Sequence, residues 1–439
     1  MSTTIIKPTR ATASSASYSY WIISLCACFL FYKYVLQIYP SIITDHLMSE
    51  FNLNGAGLGN LAATFYYSFM VAQLFVGIML DKYSARWITA SAILCCAVGT
   101  ILFSQTTTLL YAELSRALMG IGVAFATVAY LKIASVWFPP RQYAFIGGLI
   151  ASAAMAGAVF GEAPLSWLMG LIGWRYCLFL VGIVGLILAI VFAVTVRDAP
   201  AVGEEVHSFK MTRVTFKDVL HVLKSKQNWL LTLYGGLAFS PLAVFGGLWG
   251  NPFLQQAYDI SKTQSASLVS LVFVGLGVGS PLLGMLSDRI GERRNLMIYS
   301  TLLSCLSISL VLYCHGLPVW VLGILLFSFG FTLGAFVLVF TIGKELNKAH
   351  LTATVIAMIN ASDAVLDAIT EPAIGKLLDL GWDGKIVNGV HYFTLHSYRY
   401  SLTVLPIYLL IASVMLLWVK TMPSDSSINL AEAKDVRSP

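Results

Sequence analysis

Two strings, Gly77-Ile78-Met79-Leu80-Asp81-Lys82 and Gly284-Met285-Leu286-Ser287-Asp288-Arg289, each close an apolar run and lead into more basic residues, Arg86 after the first, Arg293 and Arg294 after the second. Their aspartates stand 207 residues apart in a chain of 439. Phe51-Asn52-Leu53-Asn54 is echoed at the same offset of 207 by Tyr258-Asp259-Ile260-Ser261. Gly161-Glu162-Ala163-Pro164 with Gly173-Trp174 is echoed by Thr370-Glu371-Pro372 with Gly381-Trp382, prolines and tryptophans both 208 apart. One offset recurring at three places implies two halves of one architecture.

The chain is 58% apolar and 11% charged, with a mean hydropathy of +0.79. Soluble domains carry roughly 25% charge, so this chain cannot cover a water-facing surface and reads as a membrane protein. The 27 basic against 21 acidic residues call for no nucleic acid. All seven cysteines fall inside apolar runs, which supports neither a disulfide framework nor a zinc site; Cys95-Cys96 and Cys26-x-Cys28 read as packing residues. No metal and no cofactor is expected. Residues 1–17, rich in Ser, Thr and Ala, precede a full-length apolar run and read as a short tail before a first span, not as a cleavable signal.

A helix crossing the hydrocarbon core needs roughly 20 mostly apolar residues. Twelve candidates follow, at 19–44, 56–80, 85–105, 109–137, 143–171, 174–196, 228–257, 265–287, 294–314, 317–343, 352–380 and 399–421. The expected fold is an all-α membrane protein of two pseudo-symmetric six-helix halves, 19–196 and 228–421, with tails at 1–18 and 422–439. The linker 197–227 carries Val214, Phe216, Val219, Leu220 and Leu223 at the spacing of an amphipathic surface helix. One side of the membrane collects 19 Lys and Arg, the other five. The positive-inside rule then places both termini in the cytoplasm.

Twelve spans in a six-plus-six repeat, with Gly-x-x-x-Asp-(Lys/Arg) after spans 2 and 8, resemble the major facilitator superfamily, whose halves are related as parallel repeats. The matching residues are Gly77, Asp81, Lys82 and Arg86, then Gly284, Asp288, Arg289, Gly291, Arg293 and Arg294. The first copy departs at Ser84, which stands opposite Gly291. Arg116-Ala117-Leu118-Met119-Gly120-Ile121-Gly122 resembles the family's span-4 motif, and Gly157-x-x-x-Gly161-Glu162-x-Pro164 its span-5 motif, with Glu162 where proline is usual. A narrower resemblance, carried by Tyr34-Val35-Leu36-Gln37 with Pro40, Gly57-x-Gly59-Asn60-Leu61 and Leu131-Lys132 to Trp137-Phe138-Pro139, is to the bacterial branch that includes intraphagosomal amino-acid importers. Siderophore carriers and lysosomal dipeptide carriers lie nearby. The resemblance implies alternating access, with Gly77, Asp81, Lys82, Arg86, Gly284, Asp288, Arg289 and Arg293 as a conformational gate. There an Asp can accept hydrogen bonds from the start of a neighbouring helix and pair with Arg, favouring the outward-facing state. The alternative is plain positive-inside anchoring.

Charges inside the spans are costly unless paired or hydrated. Lys33 lies some 13 residues into span 1, ~20 Å deep at 1.5 Å per residue, with Tyr34 and Gln37 beside it. It reads as a cavity cation for a substrate carboxylate; the alternative is a structural ion pair. Asp363, Asp367 and Glu371 recur every four residues in span 11 and line one stripe. Asp363, nearest the midplane, suits a proton site or a substrate ammonium. Asp367, Glu162 and Glu371 are further proton-coupling candidates, the last two being alternatively helix-end groups beside proline. Arg116 is a candidate by family resemblance; its alternative is an ion pair with Glu113 or Glu162. Lys132 lies low enough in span 4 to snorkel. Tyr66, Tyr67, Gln73, Tyr130, Trp249, Asn251 and Asn360 complete the uncharged candidates. Gly275-x-Gly277-x-Gly279, Gly147-Gly148 and Gly246-Gly247 read as close helix packing.

The reading is a secondary transporter of the bacterial inner membrane, not an enzyme, working as a monomer. A cavity with both signs suits a zwitterion, hence an amino acid. Burial raises the pH at which a carboxyl group titrates, so a proton is the expected coupling ion. Alternatives are a dipeptide, a siderophore or another organic anion as substrate, and, in a different class, a nutrient-binding membrane sensor. The short C-terminal tail counts against the sensor.

Overall fold

The structure, a computed structural model, describes residues 13–139, 142–198, 220, 222–348, 351–387 and 389–420. Eleven of its helical segments are long and apolar enough to cross a membrane: Ser17–Ile42, Gly55–Leu80, Ala85–Gln105, Leu109–Trp137, Ile146–Ile172, Trp174–Thr195, Lys226–Tyr258, Lys262–Ile290, Arg293–Tyr313, Val319–Glu345 and Leu395–Trp418. Thr352–Leu380 is equally long, at 29 residues, but carries the acidic stripe. In chain order these are spans 1 to 10, 12 and, for the acidic helix, 11. The expected spans are therefore present, with ends displaced by a few residues. Of the linker's amphipathic positions, Val214, Phe216 and Val219 lie outside the described residues.

The repeat seen in the sequence is a repeat of backbone devices. Among the described residues, the two non-glycine residues with positive φ are Asn52 and Asp259, at +50° and +51°, 207 positions apart. Each stops a helix in the left-handed region that Asn and Asp tolerate best. Two residues on, Asn54 and Ser261 start spans 2 and 8 as N-caps, accepting from Gly57 N and Gln264 N. The departure at Ser84 has a cause. Ser84 has φ −55° and caps span 3 through Trp87 N, whereas Gly291 turns the chain at φ +76°, where a side chain would be strained.

Spans 1 and 7 are interrupted at matching depth, by a 3-10 turn at Tyr39–Ile42 and a π turn at Phe245–Trp249. Within the first half, span 1 packs on 5, 2 on 4, 3 on 4 and 3 on 6; the second half repeats this as 7 on 11, 8 on 10, 9 on 10 and 9 on 12. Glycines permit the closest of these contacts. A Cβ on Gly157 would meet Phe31 O at 2.3 Å, one on Gly120 would meet Phe65 O at 2.2 Å, and one on Gly275 or Gly279 would meet the span-10 backbone at 2.2 or 2.0 Å. Gly147 and Gly148 correct the packing expectation: no atom lies within 4 Å of where their side chains would begin.

The halves meet through two symmetry-related pairs, span 2 with span 11 and span 5 with span 8. The contact lies at the end away from the Gly-x-x-x-Asp loops. There Gly55 and Gly59 pack backbone to backbone on Gly375 and Glu371, and Asp45 of the first half pairs with Lys262 of the second at 2.9 Å. At the loop end, Gly77 and Gly284 face open space. The molecule is therefore a cleft, open at its basic end and sealed at its far end.

Candidate functional site

The stripe on span 11 records the cleft's depth. Asn360 is exposed, Asp363 half-buried, and Asp367 and Glu371 are each 2% exposed. Exposure falls steadily from the basic end toward the seal. Asp363 Oδ1, Asp367 Oδ1 and Glu371 Oε2 are buried without a hydrogen-bond partner among the described residues. Ser240 of span 7 neighbours the Asp367 carboxyl.

Lys33 of span 1 faces this stripe. Its ammonium lies 5.2 Å from the centres of two rings, Tyr34 and Phe69, a cation–π arrangement. No carboxylate lies within salt-bridge distance of it among the described residues. The Lys33 and Asp363 charges act on each other across the gap between the halves, and Tyr34 also feels Asp363. Phe69 was not legible as a partner, because an apolar side chain on span 2 carries no signal of what it covers. One turn beyond Lys33, Gln37 Nε2 donates to Tyr66 Oη at 3.3 Å. Tyr66 Oη and Glu371 Oε1 converge near Gly247, each 3.9 Å from where its Cβ would stand.

Glu162 forms the floor. It is fully buried, with Ser41 Oγ donating to Oε1 at 2.6 Å and Asn251 Nδ2 to Oε2 at 2.7 Å. Ser41 and Glu162 belong to the first half and Asn251 to the second, so this carboxyl joins the halves. Asn251 Oδ1 has no partner among the described residues. Nearby, Ala163 N donates to Ser270 Oγ at 3.2 Å, again across the halves.

Four expected substrate contacts are placed elsewhere. Arg116 is 2% exposed, and its Nη1 and Nη2 donate to Leu36 O at 2.9 Å and Ala62 O at 3.1 Å. It is held over Phe65 and Tyr39 and ties spans 1, 2 and 4 together. Neither ion pair left open for it forms, since Glu113 takes Asn60 and Glu162 takes Ser41 and Asn251. Tyr130, fully buried, donates to Ile146 O of span 5 at 3.0 Å. Trp249 Nε1 donates to Glu371 O at 3.1 Å inside the second half. Tyr67 Oη reaches back along span 2 to Asn60 Oδ1 at 3.4 Å. In this conformation the Arg116 guanidinium, the Tyr130 hydroxyl and the Trp249 indole are spent on packing, while the exposed Tyr67 hydroxyl bonds within its own helix.

The gate residues hold contacts within each half. Arg86 Nε donates to Ala193 O at 2.6 Å and its backbone N to Asp198 Oδ1 at 2.8 Å. Lys82 lies over Tyr83. Arg293 pairs with Glu345 and, at 3.5 Å, with Asp288, while Arg289 is exposed. The Asp81 side chain lies outside the described residues. Among the described residues no salt bridge joins the halves at this end.

A profile of the Major Facilitator Superfamily matches residues 21–369 and again 237–438. The chain belongs to the major facilitator superfamily. The superfamily is one of transporters that span the bilayer many times. The superfamily fold is seen directly in its likeness to a bacterial homologue of the human lysosomal transporter Spinster in its inward-facing, unoccupied conformation, with a TM-score of 0.74 at 15% identity over 93% of this chain and 99% of that one. Curated relatives within the superfamily include the probable sulfoacetate transporter SauU of Cupriavidus necator, 23% identical over 62% of this chain and 65% of the relative. Another is the lysosomal dipeptide transporter MFSD1 of Danio rerio, 24% identical over 69% of this chain and 70% of the relative. The chain spans between about two fifths and two thirds of the length of several curated relatives it matches.

Proposed function

We propose that this superfamily member carries a small zwitterionic solute, an amino acid, across a bacterial inner membrane by proton-coupled alternating access. The observation that carries this reading is Lys33, caged by two rings and, among the described residues, without a carboxylate at bonding distance, across the cleft from an Asp363 oxygen that has no partner among them. A solute bearing a carboxylate and an ammonium satisfies both. Buried ionic groups lacking such partners are expensive in hydrocarbon, so either a solute or a proton must serve the three acids. Tyr34, Gln37 and Asn360 complete the open part of the site. With the basic end assigned to the cytoplasm by its excess of Lys and Arg, the cleft faces inward and both termini are cytoplasmic. The gate residues, apart in this conformation, are proposed to engage in the outward-facing one.

A second reading, an organic anion as substrate, is favoured by the sulfoacetate relative; there Lys33 would bind and the acids would carry the proton alone. A dipeptide, as in the lysosomal relative, keeps both contacts. A thermal-shift screen of the purified protein against amino acids, dipeptides and organic anions separates these, repeated with Lys33→Ala and Asp363→Asn. An amino acid that stabilises the wild type and neither variant is the expected result. A hit that survives both substitutions unchanged would remove this site from consideration.

A further inference from the structure

The start of span 2 is capped from the other half of the molecule. Asp379, in the last turn of span 11, accepts Gly55 N on Oδ1 at 2.7 Å and Ala56 N on Oδ2 at 2.8 Å. These are first-turn N–H groups with no partner within their own helix, and they carry the positive end of its dipole. The bonds are charge-assisted on the acceptor side. The approach depends on glycines: a Cβ on Gly55 would stand 2.5 Å from Gly375 O and 3.1 Å from Asp379 Oδ1.

The repeat shows that span 2 lacks a start device which its mate, span 8, possesses. Span 8 begins with a complete capping box, in which Ser261 accepts Gln264 N and the Gln264 side chain accepts Ser261 N at 3.3 Å. At the offset of 207, Asn54 stands for Ser261 and Gly57 for Gln264. Asn54 accepts Gly57 N at 2.8 Å, but Gly57 has no side chain to return. The carboxylate of the opposite half instead takes the next two N–H groups, those of Gly55 and Ala56. Span 8 holds its own start in any conformation; span 2 holds its start fully only while the halves touch at the far end.

We propose that Asp379 is a state-selecting residue of the transport cycle, a helix cap supplied in trans that holds the far end shut and is released whenever that end opens. This holds whichever way the cleft faces and whatever the substrate.

The test uses full-length protein with its cysteines replaced, reconstituted in lipid nanodiscs, with spin labels at Thr107→Cys and Lys385→Cys on the two halves at the far end. Asp379→Asn is expected to raise the ratio of long to short label distances about tenfold, the equivalent of ~1.4 kcal/mol. Asp383→Asn, which removes an exposed carboxylate that among the described residues accepts only Lys385 N, leaves the ratio unchanged. Gly57→Gln supplies span 2 with its own capping box, since the nearest atoms to a Cβ there belong to the Asn54 and Leu53 side chains and not to backbone. Combined with Asp379→Asn, it keeps the helix start folded while the halves stay unlatched, so the long distances persist. If Gly57→Gln restores the wild-type ratio, Asp379 is a structural cap only and the proposal is wrong. An unchanged ratio in Asp379→Asn alone overturns it equally.

Discussion

Gly375→Ala is the sharpest mechanical test of the far-end seal. A methyl on Gly375 would begin 2.0 Å from Gly55 O, 2.4 Å from Gly55 C and 2.8 Å from Ala56 N. All three are backbone atoms, so no side chain can swing aside. Relief from 2.0 Å to an ordinary contact of about 3.5 Å requires spans 2 and 11 to part by about 1.5 Å. The same movement stretches the Asp379 bonds from 2.7 and 2.8 Å to about 4.2 Å, beyond hydrogen-bonding length. Bonds to a charged group contribute about 1.5–3 kcal/mol each, so the closed far end loses about 3 kcal/mol or more. With every 1.4 kcal/mol worth a factor of ten, the balance moves about 150-fold toward the state in which the two glycines are apart. That state bears no matching penalty. The assay is the far-end label distance, read alongside thermal stability, with Gly170→Ala as a control because nothing lies within 4 Å of its would-be Cβ. A folded Gly375→Ala protein whose distances match the wild type would refute the argument, since it would mean the contact yields locally.

Three further outcomes are expected. Lys33→Met should weaken uptake of the solute found in the screen by about 10- to 100-fold, the range of a lost bond to a charged group, while Lys33→Arg retains more; equal uptake by all three proteins would clear Lys33 of any role. Glu162→Gln should fold, because Asn251 has an unused Oδ1 to meet the new amide by flipping; if Glu162 carries the proton, its transport rate becomes flat with pH, and a wild-type pH profile would exonerate it. His46 lies outside the spans, where burial first and Lys262 second hold its imidazole below the ordinary histidine range against Asp45 and Glu50. Protonation therefore opposes the closed far end, so the seal should weaken as pH falls through about 6.5 and below. In His46→Gln that pH dependence of the label distances should vanish, and a persistent one would place the sensor elsewhere.

The spans, their number and the repeat were legible because hydropathy and capping are local: about 20 residues decide a crossing, and Asn52 with Asn54 decide a turn. The acidic stripe was legible for the same reason, as a fixed spacing on one helix. Partners across the fold were not. Arg116 finds Leu36 O, 80 residues away, and Asp379 finds Gly55 N at 324. A backbone carbonyl or N–H leaves no mark in the sequence to be matched. Arg116 therefore invited ion pairs it does not make. A helix-start cap of the kind expected of the gate aspartates is made at the far end by Asp379 and at the loop end by Asp198 toward span 3. Ser41 and Ser270 were missed because a serine in an apolar run usually bonds back to its own helix.

The acidic stripe also bears on how the chain enters the bilayer. Asp363 and Asp367 sit near the middle of Thr352–Leu380, where an aspartate opposes insertion by about 3 kcal/mol and each large aliphatic residue favours it by only about 0.5. Alone of the twelve spans, this helix falls outside the set apolar enough to cross on its own. It must be accepted together with neighbours that already hold it, such as span 7, whose Gly235 and Gly236 receive Ile359, Ser362 and Leu366. With the proposed role of these acids, biogenesis and transport pull on the same residues in opposite directions. Replacing Asp363 or Asp367 by a neutral side chain should raise the yield of correctly integrated protein as it lowers uptake, so a high-expression variant of this transporter is a suspect one.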